Sequence, residues 1–214
     1  MYSKRAQGNR KEKILEAALL CFNEKGYHKT SIDDIALKGK ISKGGIYYHF
    51  KSKEDLFLGL FHFRLNKYTE QLKTHIQEEQ DPAKRIRILL QQWGTILKEN
   101  EDFFKFCLEF SSMGAREKAI RKEMTSFYKN SVKTFSHTIQ EGISIGEFKN
   151  LDPEKIARLI YFLSHGAFST YFSVNCDFDL IEQHMFNMET LFKGIQKPEA
   201  DITKKIIGKE VLHT

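Results

Sequence analysis

The stretch that most constrains the fold is residues 30–53, TSIDDIALKGKISKGGIYYHFKSK, which carries two short helix signals separated by a tight turn. Thr30 or Ser31 can begin the first helix, because a hydroxyl followed three residues later by an aspartate is capping-box-like and satisfies free N–H groups. Ser42 can begin the second helix in the same way. The sequence therefore predicts two short helices in close succession.

The second of these helices contains Gly44 and Gly45, each of which costs a helix about 1 kcal/mol relative to alanine. So short a helix does not form alone. Residues 42–49 are therefore either a glycine-rich loop or a helix held in place by tertiary packing. Ile46 and Phe50 are four residues apart and can point inward together, and the glycines would then let the backbone approach a phosphate or a base edge.

Positive charge is concentrated in the same part of the chain. Residues 1–53 contain 12 Lys and Arg against 5 Asp and Glu, a net charge of +7, whereas the remaining 161 residues carry a net charge of −1. A basic quarter attached to a neutral body is typical of a modular nucleic-acid-binding protein.

The residues from Ser42 to Leu56 complete a recognisable motif, S-K-G-x-I-Y-Y-H-F-K-x-K-E-x-L, which follows Gly26-Tyr27 and Ile35-Ala36. The motif resembles the DNA-binding signature of the TetR family of bacterial transcriptional regulators. Its Tyr-Tyr-His-Phe run is most similar to multidrug-sensing members of the QacR type. The specific resemblance covers roughly residues 9–60, and it implies that residues 42–49 form a recognition helix.

In the proteins that this motif resembles, the recognition helix enters the major groove and the starts of the flanking helices contact phosphates. Lys43 can then hydrogen-bond a guanine edge, and His49 either contacts the backbone or packs within the protein. The resemblance implies the following DNA-binding residues: Thr30, Ser31, Ser42, Lys43, Gly44, Gly45, Tyr47, Tyr48, His49 and Lys53.

The motif departs from the family pattern at two places. The turn between the helices usually reads Ala-Gly, whereas this chain has Gly39-Lys40. Lys40 is strained if its position requires a positive φ, in which case the turn can shift by one residue. Gly45 replaces a residue that often carries a base-reading side chain. The operator sequence therefore does not follow from the resemblance.

The remaining chain reads as helical, because it has few alternating strand patterns and only three prolines. The sequence predicts an all-α fold, with an N-terminal three-helix helix-turn-helix domain at 1–53 and a larger helical effector-binding and dimerisation domain at 54–196. A tail follows at 197–214. The first helix is expected from Asn9 to Lys25, and a long linking helix begins near Ser52, with a loop break near residues 64–67 as the alternative.

Aromatic residues are dense in the second part of the chain. Core packing explains each of them singly, whereas together they suit a pocket for a hydrophobic or flat aromatic effector, as in the sensor domains that the chain resembles. Glu109 is placed to meet a cationic ligand. The predicted pocket residues are Trp93, Phe104, Phe110, Phe127, Tyr128, Phe135, Tyr161, Phe162, His165 and Phe168.

Two helices, expected at 153–172 and 178–195, carry apolar residues with 4-3-4-3 spacing. Such seams pack antiparallel helices at shallow angles, either inside one subunit or between subunits. The resemblance implies that the two helices and their copies form a four-helix dimer bundle. The predicted interface residues are Ile160, Leu163, Ala167, Met185, Met188 and Phe192.

No catalytic constellation, metal-ligand pair or cofactor motif emerges, so we expect neither an enzyme nor a cofactor. Three scattered cysteines favour a reducing cytoplasm, and no segment has 18 uninterrupted apolar residues. The predicted function is a ligand-responsive, homodimeric repressor that binds double-stranded operator DNA and a small-molecule effector. The alternative is a helical small-molecule carrier with a vestigial DNA-binding domain.

Overall fold

The computed structural model describes residues 2–76 and 79–198. These residues form helices with no strand longer than an isolated bridge between Phe148 and Gln196. The all-α prediction is confirmed. The helices are α1 Tyr2–Lys29, α2 Ile32–Gly39, α3 Lys43–Tyr47, α4 Lys53–Ile76, α5 Pro82–Glu99, α6 Glu101–Met113, α7 Lys118–Ile145, α8 Pro153–Ser173 and α9 Leu180–Ile195.

The first and fourth helices resolve two points that the sequence left uncertain or placed differently. Helix α1 begins at Tyr2, seven residues before the expected start at Asn9. The helix bends at Gly26, which has a φ of 75° and is not helical. Helix α4 runs without interruption through residues 64–67, so the alternative loop break there is wrong. Its 24 residues correspond to a length of about 36 Å.

The described chain divides into two compact units. The first joins residues 2–71 with 99–124, and the second joins 72–76 and 79–98 with 125–198. The chain therefore leaves the first unit within α4, returns to it at the end of α5, and leaves it again within α7. The functional domain limits expected from the sequence, 1–53 and 54–196, stay a prediction. The tail expected at 197–214 lies outside the described residues beyond Pro198.

An aromatic cluster fills the first unit. The rings of Phe22 and Phe57 meet edge to face, with centroids 5.0 Å apart, and Phe57 meets Phe106 at 4.8 Å. Phe61 and Phe110 stack in parallel at 4.2 Å. Such pairs add about 0.5–1.5 kcal/mol each to the free energy gained by burial. Through these rings, α6 shares one core with α1 and α4.

The second unit has a separate core built from α5, α7, α8 and α9. Gly142 lies so close to the ring of Phe148 that a Cβ on the glycine would be 2.3 Å from it, which fixes the chain after the end of α7. The fully buried members of this core are Ala83, Ile86, Leu90, Ile139, Phe148, Ile160, Met188, Phe192 and Ile195.

Two further features concern the hydropathy of the helices and the state of the cysteines. Among the described residues, no helix is long and apolar enough to cross a membrane. Cys21, Cys107 and Cys176 are free thiols, and burial raises the pKa of Cys107 well above its ordinary value.

His184 on α9 is a buried polar group inside the second unit. Its side chain is only 1% exposed, and neither ring nitrogen has a hydrogen-bond partner among the described residues. The ring lies 5.2 Å from that of Phe168. Burial lowers the pKa of His184 to about 4, because the charged imidazolium is poorly solvated there.

The buried histidine predicts a pH-dependent stability. The folded-state pKa lies below the unfolded value of 6.5, so the unfolded state binds more protons as the pH falls between these values, and stability is lost there. Between pH 8 and pH 5, the buried histidine should lower the free energy of unfolding by about 2 kcal/mol. We expect His184→Leu to abolish this part of the decrease. Urea unfolding followed by circular dichroism, at a fixed protein concentration, measures the difference. Identical pH profiles for the variant and the wild type would contradict this account of His184.

Candidate nucleic-acid interface

Each helix of the motif begins at a serine cap, and of the two residues that the sequence offered for the first helix, Thr30 and Ser31, the cap is Ser31. Ser31 Oγ accepts the N–H of Asp34 at 3.1 Å, and Asp34 accepts the N–H of Ser31 at 2.8 Å, which completes a capping box. Ser42 Oγ accepts the N–H of Gly45 at 3.1 Å. Ser52 Oγ accepts the N–H of Asp55 at 3.0 Å. Caps of this kind typically contribute about 1 kcal/mol each, so local chemistry fixes where all three helices start.

The turn between α2 and α3 contains a strained residue. Lys40 has φ 51° and ψ 47°, and it is the one residue other than glycine with a positive φ in the described chain. The left-handed conformation costs a residue with a Cβ about 1–2 kcal/mol. The N–H of Ile41 bonds the Ala36 carbonyl at 2.9 Å. The turn therefore keeps its place, and Lys40 takes the strained conformation that the sequence identified as the difficulty.

Packing holds α3 in position. Ile46 is fully buried and Phe50 is 4% exposed, so the two inward anchors are as predicted. The ring of Phe50 lies against Gly59 of α4, where a Cβ would be 2.7 Å from the ring. Residues 42–49 therefore do not form a loop: residues 43–47 are a helix that buries one face and leaves the opposite face to solvent.

The exposed face of α3 presents the side chains that the motif predicted. Tyr47 and Tyr48 are exposed, and apart from its own helix no atom lies within 4 Å of where a Cβ on Gly44 would be. Lys43 is exposed as well, and its Nζ lies 3.0 Å from the Asp33 carboxylate of α2, which raises the pKa of Lys43. In the free protein, an internal carboxylate thus holds the lysine beside the helix.

Neighbouring cations are also paired with carboxylates of the same unit. Lys25 Nζ lies 2.5 Å from Asp34, and Lys38 Nζ lies 2.6 Å from Glu24. The hydrogen bonds from Lys25 and Ser31 hold the pKa of Asp34 far below its ordinary value. These exposed pairs contribute little to stability, but they determine which positive charges remain available at the surface.

Two residues predicted to contact phosphate have their side chains turned inward. Thr30 is buried, and its hydroxyl donates to the carbonyls of Gly26 and Cys21. Lys53 Nζ donates to the carbonyls of Tyr27 at 2.7 Å and Thr30 at 2.8 Å. In this conformation, neither side chain is directed toward a phosphate, and the Thr30 N–H is itself bonded to the Gly26 carbonyl at 3.2 Å.

These inward contacts form a junction, defined here as Gly26, Tyr27, Lys53 and Glu109. Glu109 of α6 accepts the backbone N–H of Tyr27 at 2.6 Å, immediately after the bend at Gly26. The Lys53 ammonium lies 4.4 Å from the centre of the Tyr27 ring. Burial lowers the pKa of Lys53, and the charge of Glu109 partly opposes this. Glu109 therefore serves as an internal acceptor here, whereas the sequence placed it to meet a cationic ligand.

A cleft beside α3 shows a residue that the motif did not reveal. It has a volume of about 260 Å³ and is lined by Arg10, Gly45, Tyr48 and His49. The last three belong to the predicted set, and His49 is half-buried. Arg10 comes from α1, more than thirty residues earlier, so neither motif spacing nor helical periodicity could associate it with α3.

The predicted effector residues do not all belong to one compact unit. Phe104 and Phe110 lie in the first unit, where Phe110 is fully buried in the aromatic cluster. Trp93, Phe127 and Phe168 lie in the second unit.

An aromatic group spans α7 and α8 within the second unit. The ring of Tyr161 lies 5.1 Å from that of Tyr128 and stacks on His165 at 5.8 Å. Phe162 is largely exposed, and Phe135 packs instead against the core of the unit. Burial raises the pKa of Tyr161. The structure thus brings part of the predicted set together.

The predicted dimer residues divide in a similar way. Ile160, Met188 and Phe192 are buried in the core of their own unit, and Leu163 packs against them. Ala167 and Met185 are half-buried. The 4-3-4-3 seam is therefore at least partly an internal seam between α8 and α9. The exposed large apolar side chains on the two helices are Leu159, Phe162 and Phe186.

Known protein families match both parts of the chain. Residues 14–60 match the model of the bacterial regulatory proteins of the tetR family, and residues 61–194 match that of the C-terminal region of YsiA-like proteins. The fatty acid metabolism regulator protein of Bacillus subtilis is 23% identical over 184 residues, which cover 85% of this chain and 93% of the relative. QacR of Staphylococcus aureus is 27% identical over 154 residues, covering 71% and 80% respectively.

The fold is also shared with a solved structure. The transcriptional regulator FadR from Bacillus subtilis, crystallised with stearoyl-CoA, superposes with a TM-score of 0.76 and 23% identity, covering 86% of this chain and 99% of that one. The prediction of a regulator rather than an enzyme is confirmed by these matches. The chain belongs to the TetR family of bacterial regulatory proteins, as a DNA-binding transcriptional repressor that responds to a ligand.

Proposed function

We propose that the exposed face of α3 reads operator DNA in the major groove, and that a hydrophobic effector releases the protein from it. The observation that carries this proposal is the outward set of Lys43, Tyr47 and Tyr48 on a helix anchored by Ile46 and Phe50. Lys43 exchanges Asp33 for a guanine edge, and the tyrosines contact phosphate, sugar or thymine methyl groups. Ser31 and Ser42 contribute from the starts of α2 and α3.

Transmission of the effector signal is proposed to use α4 and the junction. Because α4 begins at Lys53 and α6 carries Glu109, a change in either helix alters the groups that hold the bend of α1. The effector needs only to prefer the conformation that does not bind DNA. A preference of about 5.5 kcal/mol moves such an equilibrium from 1:99 to 99:1.

The test of DNA binding uses a duplex that the protein selects from a random pool. We expect salt-sensitive binding by the wild type, and a tenfold to hundredfold weaker interaction for Lys43→Ala, because one guanine contact contributes about 1–3 kcal/mol. Fluorescence anisotropy at several salt concentrations measures both. Lys129→Ala, which removes an exposed lysine of α7, serves as the control and should bind like the wild type.

Two different results would contradict two different parts of this proposal. Failure of the wild type to enrich any sequence would overturn the proposed function. Undiminished specific binding by Lys43→Ala would show instead that α3 is not the reading helix.

The proposed effector is an amphipathic molecule with a long apolar part, and long-chain acyl-CoA is the first candidate. Two findings support this choice. The aromatic group of Tyr128, Tyr161 and His165 offers ring faces with polar edges in one unit. One relative is named a fatty acid metabolism regulator, and one similar structure holds stearoyl-CoA. The carrier alternative is less favoured, because the segment that carries α3 matches the tetR-family model and leaves Tyr47 and Tyr48 exposed.

Stearoyl-CoA should release the wild-type protein from its selected duplex and raise its melting temperature, because a ligand of the folded state stabilises that state. Coenzyme A without the acyl chain is the matched control and should do neither. Anisotropy and thermal unfolding report the two effects. If stearoyl-CoA changes neither quantity, the acyl class is the wrong choice.

The protein is further proposed to act as a homodimer in the cytoplasm, with α8 and α9 of each subunit at the interface. A dimer presents two recognition helices to successive major grooves of a palindromic site. Exposed Leu159, Phe162 and Phe186 support this surface, because apolar side chains on adjacent helices favour burial against a copy. Ala167 and Met185 lie on the same helices.

A charge placed in this surface should separate the subunits. We expect Phe186→Glu to shift the protein from dimer to monomer at micromolar concentration, since an unpaired carboxylate is costly to bury. Analytical ultracentrifugation measures the shift. Ile145→Glu, at an exposed apolar residue of α7, is the control and should remain dimeric. A Phe186→Glu dimer as tight as the wild type would place the interface elsewhere.

A further inference from the structure

The cleft beside α3 brings Arg10 of α1 against the backbone of the recognition helix. A Cβ built on Gly45 would lie 2.7 Å from Arg10 Nη2 and 3.3 Å from its Cζ. Real Cβ atoms do not approach other atoms so closely, so a methyl group at Gly45 would move the flexible end of the Arg10 side chain out of its present place. Gly44, one residue earlier, has no atom within 4 Å of its Cβ position. The two glycines of α3 therefore have different surroundings.

Among the residues that the structure describes, Arg10 is not held by an internal ion pair, whereas three lysines of the same unit are. Lys25, Lys38 and Lys43 each form an ion pair with a carboxylate of the same unit. Arg10 is exposed, and in the part of the chain that the structure describes no carboxylate lies within ion-pair distance of it. It is thus a positive charge at this surface that no internal anion neutralises.

The groups around the cleft suit an anion of a particular kind. Besides Arg10, its lining includes the phenol of Tyr48 and the imidazole of His49, both of which can donate hydrogen bonds. A guanidinium presents a planar fork of donors that matches a phosphate in two parallel hydrogen bonds. An element outside the recognition helix is also more suited to hold the DNA backbone than to read a base edge.

We propose that Arg10 binds a DNA backbone phosphate in this cleft, at a place beside α3 that Gly45 leaves open to the guanidinium. The contact fixes how far α3 enters the groove and contributes no base preference of its own. This inference rests on the proposed DNA-binding function and adds to it a residue that the motif does not contain. Gly45 has no side chain to read a base, but in this proposal it leaves room for Arg10 to hold the phosphate.

The test measures the affinity of variants for the selected duplex as a function of salt. Arg10→Gln should bind at least tenfold more weakly, and the slope of log affinity against log salt should fall by about 0.9 for each phosphate that the variant no longer neutralises. The relative affinities for single-base variants of the duplex should not change. Lys13→Gln removes an equal charge from an exposed residue of the same helix and should weaken binding less.

A second pair of variants separates the phosphate contact from general electrostatics. Gly45→Ala keeps every charge and favours the helix, but its methyl group displaces the guanidinium. It should reproduce most of the weakening seen in Arg10→Gln, and the double variant should be little worse than either single one. Arg10→Lys keeps the charge without the planar fork and should recover only part of the affinity.

Three outcomes would overturn the inference while leaving the proposed function intact, provided that the wild type binds its duplex. These are unchanged affinity and salt slope in Arg10→Gln, fully additive effects in the double variant, and relaxed preference at one base position. The last would identify Arg10 as a base-reading residue. Failure of the wild type to select any duplex would instead overturn the proposed function itself.

Discussion

The hydrogen bond from the Tyr27 N–H to Glu109 supports the arrangement of the whole first unit. It satisfies a backbone donor that the bend at Gly26 frees, and it ties α6 to the end of α1. Lys53 satisfies the carbonyls on the other side of the same bend. The end of α1, the start of α4 and the middle of α6 therefore meet where the chain turns toward the recognition helix. A charged acceptor and a charged donor are needed there, because buried backbone groups without partners are costly.

Local chemistry was readable from the sequence, and contacts between distant residues were not. Ser31, Ser42 and Ser52 cap their helices through bonds spanning three residues. Ile46 and Phe50 are buried as their four-residue spacing predicts. The inward turn of the Lys53 side chain depends on carbonyls 23 and 26 residues away, so no local pattern could indicate it. The same holds for Arg10, whose position beside Gly45 depends on how α1 crosses α3.

The spacing of aromatic and apolar residues predicted the helices correctly. It did not predict which side chains each of these residues contacts. Phe110 and Tyr161 looked equivalent in the sequence, yet one is buried beside α4 in the first unit and the other stacks on His165 in the second. Similarly, the periodicity of Ile160, Met188 and Phe192 is real, but their side chains fill the core of their own unit. Apolar residues at helical spacing show which face of a helix is buried. Which other helix covers that face depends on the tertiary fold.

The Asp33–Lys43 pair has a consequence for what DNA binding costs the protein. In the proposed complex, a group of the DNA replaces a carboxylate that lies 3.0 Å from the Lys43 ammonium. Both side chains are largely exposed in the free protein, so the pair is weak and its loss costs little free energy. The aspartate therefore keeps the lysine beside α3 without withholding it from DNA.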